Sequence, residues 1–191
     1  MYKTDKLKKI ISVEDYLNNY VDIPYFMEKC KECNNYNKAW CCPPYEFSVE
    51  EYWKQYKYLC IIASKIIFDE KTLSSTTSKE NVEKVMKEVL DKEKQLLSKK
   101  LYDAEKKYNG SISLSAGSCN LCENCEKLNG NPCIYPDKMR YSIESLGGNV
   151  GKTCSKLLGI ELVWCEEEKL PEYFTLVSGL LTNNDNIEIS L

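Results

Sequence analysis

The run Cys119-x2-Cys122-x2-Cys125 is the most chemically specific feature of the chain. Two-residue gaps let consecutive thiolates turn inward around one compact object. Three in a row suit the corner irons of a [4Fe–4S] cubane, closed by a remote fourth cysteine. Cys133 is the obvious fourth, and Pro136 stiffens the exit. The usual bacterial ferredoxin run has a shorter final gap with proline directly behind it, so this is a variant of that pattern. Zinc is the rival metal. Its structural sites typically use two separated C-x2-C knuckles, which a tight triple matches less well.

A second block lies upstream: Cys30-x2-Cys33-x7-Cys41, followed at once by Cys42-Pro43-Pro44. Its first three cysteines repeat the spacing of Cys122, Cys125 and Cys133. Neighbouring side chains seldom both bind one ion, so either Cys41 or Cys42 is a spare thiol or the two serve different metals. Three readings stand for this block: a second cluster, a zinc site, or a cluster with one open iron. An open iron would permit Lewis-acid or redox chemistry on a small molecule. A loop staple without catalytic work is the plain alternative.

The other candidates are weaker. Cys60, Cys154 and Cys165 fall on the apolar faces of expected elements and read as core thiols. Gly147-Gly-Asn-Val-Gly151 could expose amides to an anion or let another backbone approach closely, but it matches no phosphate-loop signature. Arg140 is the one arginine in the chain. Its fork geometry suits a carboxylate. Glu144, four residues on, is the expected partner, in a structural ion pair or as part of an anion site.

Absences narrow the chemistry further. The chain has no histidine, which removes Ser-His and Cys-His nucleophile pairs and every His-ligated metal site. Any acid–base work would fall to Glu, Lys, Tyr or Cys. A net charge of −3 argues against a general nucleic-acid binder. The longest uninterrupted apolar run, Tyr58–Ala63, is far short of the ~20 residues that cross a bilayer, and the N-terminus has no signal-peptide pattern. A cytoplasmic location is therefore expected. In that reducing compartment eleven cysteines point to metal or redox chemistry rather than disulfides.

The elements that must position these residues can be read from periodicity. Residues 1–29 read as an N-terminal arm, with a short helix capped by Ser12 and ended near Pro24. The cysteine loops are expected at 30–45 and 117–136. Ser48-Val-Glu-Glu51 is a capping box for a helix over 49–56, and 57–68 is β-rich. After a polar loop, 69–78, apolar residues from Val82 to Tyr108 recur at the 3.6 period, with Asn109-Gly110 as the stop. Ile112, Leu114 and Ala116 alternate as a strand. A helix from Ser142 to Gly159 and strands over 160–165 and 173–181 complete the set. The expected fold class is α/β (α+β): one domain over 1–191, with helices packed on a single mixed β-sheet and two cysteine-rich metal-binding loops.

Taken together, these residues resemble a known family. The joined pattern is Cys30-x2-Cys33-x2-Tyr36-x3-Trp40-Cys-Cys42-Pro-Pro44-Tyr45, then Ala116-Gly-x-Cys119-x2-Cys122-x2-Cys125, Pro132-Cys133-x2-Pro136 and Arg140-x-Ser142-x-Glu144-x2-Gly147. It is similar to the predicted metal-binding proteins of domain of unknown function 2284, over about residues 20–182. The resemblance implies a bound metal and a bacterial or archaeal, often anaerobic, setting. It also implies Cys30, Cys33 and Cys42 as first-block ligands, with Cys41 the departure from the pattern and a substitute ligand.

The expected function is accordingly a cysteine-ligated iron–sulfur protein. One [4Fe–4S] cluster would sit on Cys119, Cys122, Cys125 and Cys133, with room for a second metal on the first block. It would work in electron transfer or redox chemistry with a partner protein, without nucleic acid or membrane. The alternatives are a zinc-binding interaction protein, in which metal supplies folding free energy, and a metalloenzyme with an open iron acting on an unidentified small molecule.

Overall fold

A computed structural model describes residues 1–165 and 168–190. Its centre is a four-stranded sheet in the order β1-β2-β4-β3, formed by β1 (Tyr2–Ser12), β2 (Tyr58–Phe68), β3 (Ile112–Leu114) and β4 (Tyr173–Thr182). The ladders are antiparallel throughout, so the fold is α+β and the sheet is not mixed. One parallel bridge, Ser115 to Ser142, lies outside the strands.

β2 is central and covered on both faces, which explains its nearly continuous apolar run. Leu59, Ile61 and Ala63 face one core, with Tyr16, Trp53, Leu114, Ile143 and Leu146. Cys60, Ile62, Ile66 and Phe68 face the other. The first core is closed by α1 (Val13–Tyr20) and α3 (Val49–Lys54), each capped by a serine accepting a backbone N–H of its first turn. The buried Trp53 indole donates to Leu146 O at 2.9 Å. The second core is closed by α5 (Lys79–Lys107), which lays Val82, Val89, Leu97, Leu101 and Ala104 on the sheet.

Several sequence expectations need correction. Residues 2–12, read as part of an arm, pair with β2 along their whole length. Lys3, Lys6, Lys8 and Lys9 mask the alternation there, and they suit an edge strand because charge discourages pairing with another chain. Pro24 does not end an element. It sits in the first turn of α2 (Ile23–Lys31), where its missing N–H costs nothing. The polar stretch 69–78 contains α4 (Glu70–Ser75), capped by Asp69.

The expected helix over 142–159 is broken. A 3-10 turn, Glu144–Leu146, ends at Gly147 with φ +80°. A new cap at Asn149 then starts Val150–Lys152, which passes into a π-helical stretch, Thr153–Leu158. The glycines serve close approach rather than anion binding: a Cβ on Gly147 would lie 2.8 Å from Ile23 Cγ1, and one on Gly148 would lie 2.4 Å from Ile143 Cγ2. Residues 160–165 pair with no strand.

Candidate metal centre

The first loop leaves α2 at its last turn, which carries Cys30, and runs to α3. Cys30 is half-buried, Cys33 exposed, and Cys41 and Cys42 buried. Behind Cys41 stands an aromatic wall. Tyr45 stacks on Phe47 at 4.8 Å, and Tyr141 packs edge-on against Tyr45 at 5.1 Å and Tyr52 at 5.4 Å. The Tyr45 hydroxyl donates to Cys41 O at 2.8 Å. Such contacts fix the loop's buried end before any ligand is considered.

The second loop hangs from the end of β3 and returns at Tyr141, where Ser115 N donates to Tyr141 O at 2.8 Å. Its four cysteines are half-buried, and its middle is a single 3-10 turn, Glu126–Asn129. A polar stripe of α5 grips it. The Lys94 ammonium donates to Ser118 O and Asn120 Nδ2 to Asp91 Oδ1 at 3.4 Å, both at the entrance. The Tyr102 hydroxyl donates to Lys138 O at 2.6 Å near the exit. Glu105 takes Arg140 Nε at 2.8 Å and Nη2 at 2.6 Å, a fork-to-carboxylate pair that is almost out of solvent. Residues 91, 94, 102 and 105 are spaced 3, 8 and 3 apart, so the 3.6 period lines them along one side of the helix.

Arg140 therefore forms a structural ion pair, but with Glu105 and not Glu144. An i,i+4 pair meets only on a helix, and residues 140–143 are not helical. Burial pushes the Glu105 carboxyl up, yet hydrogen bonds from Arg140 and Ser113 outweigh it and hold the group below its ordinary value. Glu144 is half-buried, with its Oε2 out of solvent. Desolvation pushes its carboxyl up, and Oε2 has no hydrogen-bond partner.

The two loops are bolted together. Trp40 Nε1 donates to Asn131 O at 3.1 Å, and Lys127 Nζ reaches Ala39 O at 3.4 Å and Cys42 O at 3.3 Å. The sulfurs meet at the adjacent pair. Cys41 Sγ accepts from Cys119 N at 3.1 Å and lies 3.7 Å from Cys42 Sγ. Cys41 thus turns to the second block, while Cys42 feels Cys33 and Cys30 of the first. Within the second block, Cys122 feels Cys119, Cys125 and Cys133.

The thiols are electrically distinct. A hydrogen bond from Cys41 pulls Cys42 below its ordinary value, and Lys127 adds to this against burial. Cys119 pulls Cys41 down, but its bond to Cys42 and burial prevail and leave Cys41 pushed up to about 11. Hydrogen bonding to Cys41, then burial, pushes Cys119 far up. Burial lowers Lys94, against the opposing fields of Cys119 and Cys41.

None of the described cysteines is joined in a disulfide. Among the described residues no three Cys, Asp or Glu side chains are drawn into a closed coordination sphere. The donor chemistry nevertheless fits a thiophilic metal: two sets of thiols adjoin through the contact of Cys41 with Cys119. Cys60 and Cys154 are buried core thiols, each pushed up to about 11 by burial first. Cys165 is exposed and does not belong to the core. Sequence reading missed Glu105, Lys94 and Lys127. The first two were legible as part of the polar stripe on α5; Lys127, inside the loop, carried no signal.

This is an α+β protein whose two cysteine loops, brought together at Cys41–Cys42, define a candidate thiolate metal centre. The family model for predicted metal-binding protein (DUF2284) matches residues 18–182, and the chain belongs to that family. No curated protein and no solved structure matches it. No helix among the described residues is long and apolar enough to cross a membrane.

Proposed function

We propose that the protein is an iron–sulfur protein with two adjoining metal sites, working in electron transfer with a partner protein. Cys119, Cys122, Cys125 and Cys133 would hold a [4Fe–4S] cluster. Cys30, Cys33 and Cys42 would hold a second metal, and Cys41 would stand between the sites. The observation that supports this best is that Cys122 feels the charges of Cys119, Cys125 and Cys133 within one short loop, in a C-x2-C-x2-C run with a remote fourth cysteine. Such a cluster supplies one-electron redox chemistry at a potential set by local charge, hydrogen bonds and exposure.

The chain's own residues do the rest. The Cys119 amide donates to Cys41 sulfur, and Lys94 brings a positive charge to the Cys119 and Cys41 thiols. Both stabilise negative charge on sulfur. The protonated thiols must release their protons on binding metal, so loading should be proton-coupled. The aromatic wall keeps one side of the first loop dry.

The test is metal and acid-labile sulfide content of anaerobically purified protein, with its visible spectrum. At least about four irons and four sulfides per chain, and a broad band near ~400 nm bleached by dithionite, are expected. Zinc alone in a colourless protein would replace this reading with a zinc-held interaction module.

A further inference from the structure

A cavity of about 650 Å³ lies beside the two loops and belongs to neither thiol set. Met86 and Leu90 of α5, Phe174 of β4, and Leu162 and Trp164 of the 160–165 segment line it, and Glu144 contributes to its wall. Its size falls in the usual range for small-molecule pockets, which are largely apolar with a few placed polar groups. Trp164 is 80% exposed and stands at the rim, where its ring can lie against an apolar body.

Two polar groups of this wall have a buried oxygen without a partner, Thr175 Oγ1 and Glu144 Oε2. Glu144 is the ionisable one, and its carboxyl otherwise draws on the Ser142 hydroxyl and its own backbone N–H. Its Oε2 has neither solvent contact nor a hydrogen-bond partner. Buried carboxyl oxygens are ordinarily bonded, and leaving one unpaired is costly. Lys94 is the cation whose field reaches Glu144, but its ammonium is committed to Ser118 O. The complement of an apolar cavity with an under-used carboxylate is an apolar body carrying a positive hydrogen-bond donor. We propose that this cavity is a binding site for a small apolar or aromatic amine, with the ammonium received by Glu144 and the body held against Met86, Leu90 and Trp164. This does not depend on the metal assignment.

The test is calorimetric titration of the full chain with 2-phenylethylamine, beside 2-phenylethanol and phenylacetate as matched neutral and anionic probes. Saturable one-to-one binding of the amine is expected, with the alcohol at least ~10-fold weaker, the scale of one charge-assisted hydrogen bond, and no binding of the acid. Glu144→Gln should weaken the amine by a similar factor. Because that variant alters a buried group, Gly151→Phe provides a second arm: Gly151 lines the cavity, and a Cβ there meets only Asn149 Oδ1, at 3.5 Å. A folded Gly151→Phe protein should lose amine binding by filling the space. Absence of saturable amine binding, equal affinity for the three probes, or undiminished binding in Gly151→Phe would each overturn the proposal. Since the titration reads no metal, a protein that proved to hold only zinc would leave this result standing.

Discussion

The two cysteine loops are held by different physics. The first is built into the core: Cys30 rides on the last turn of α2, and Cys41 and Cys42 are buried before an aromatic wall of Tyr45, Phe47, Tyr52 and Tyr141. The second is suspended. Its cysteines are half-buried, and its grip on the body is polar: a row of contacts along α5, the bridge at Ser115 and the hydrogen bonds to the first loop. Apolar packing places a loop whether or not a ligand is present, whereas a suspended loop draws its order from what it binds. The first loop therefore reads as a preformed platform and the second as one that metal completes.

The largest expected effect separates the sites by metal content. Cys122→Ser should sharply lower the second-block iron and sulfide, by up to about four of each per chain, because one of the cluster's four thiolates is lost. Cys42→Ser should spare that cluster and lose only the first-block metal. A Cys42→Ser protein lacking the second-block iron as well would mean that the loops form one site. Next in size is the response to metal removal. After chelation, amide hydrogen exchange should rise strongly over 118–138 and little over 41–47. Equal loss in both loops would break the contrast.

Arg140→Ala comes third. It strands Glu105 in a nearly solvent-free pocket, a change expected to cost about 3 kcal/mol, read as a lowered midpoint in urea. The same pair predicts acid sensitivity. Glu105 is held below its ordinary value of 4.5, so its contribution is complete above about that pH. It is lost as pH falls through the lower folded value. Arg140→Ala should flatten this acid limb of the stability curve, and an unchanged limb would remove the pair from the account. The smallest effect is that of Lys127→Met, which loses two long bonds between the loops, to Ala39 O and Cys42 O. A cost of about 1 kcal/mol is expected, with the first-block metal released more readily than the second.

Much of this was legible in the chain. Cysteine spacing marked both loops, and the 3.6 period located α5 because a long amphipathic helix repeats its signal many times. The edge strand was not legible, since lysines on both of its faces hide a period of two. The helix expected over 142–159 failed because apolar spacing does not register a glycine that packs against Ile23 from a distant helix. The division of Cys41 from Cys42 was hidden for a similar reason: adjacent residues differ in direction only once Cys119 and Cys33 are placed around them. Arg140 shows the limit of short-range pairing, because its partner lies 35 residues away on α5.

The most direct test of two adjoining sites is iron-edge anomalous diffraction from crystals grown and frozen without oxygen. The account predicts a strong iron peak among Cys119, Cys122, Cys125 and Cys133, and a separate metal peak at Cys30, Cys33 and Cys42, with Cys41 between them. A single peak spanning both loops, or zinc-edge signal alone, would contradict it.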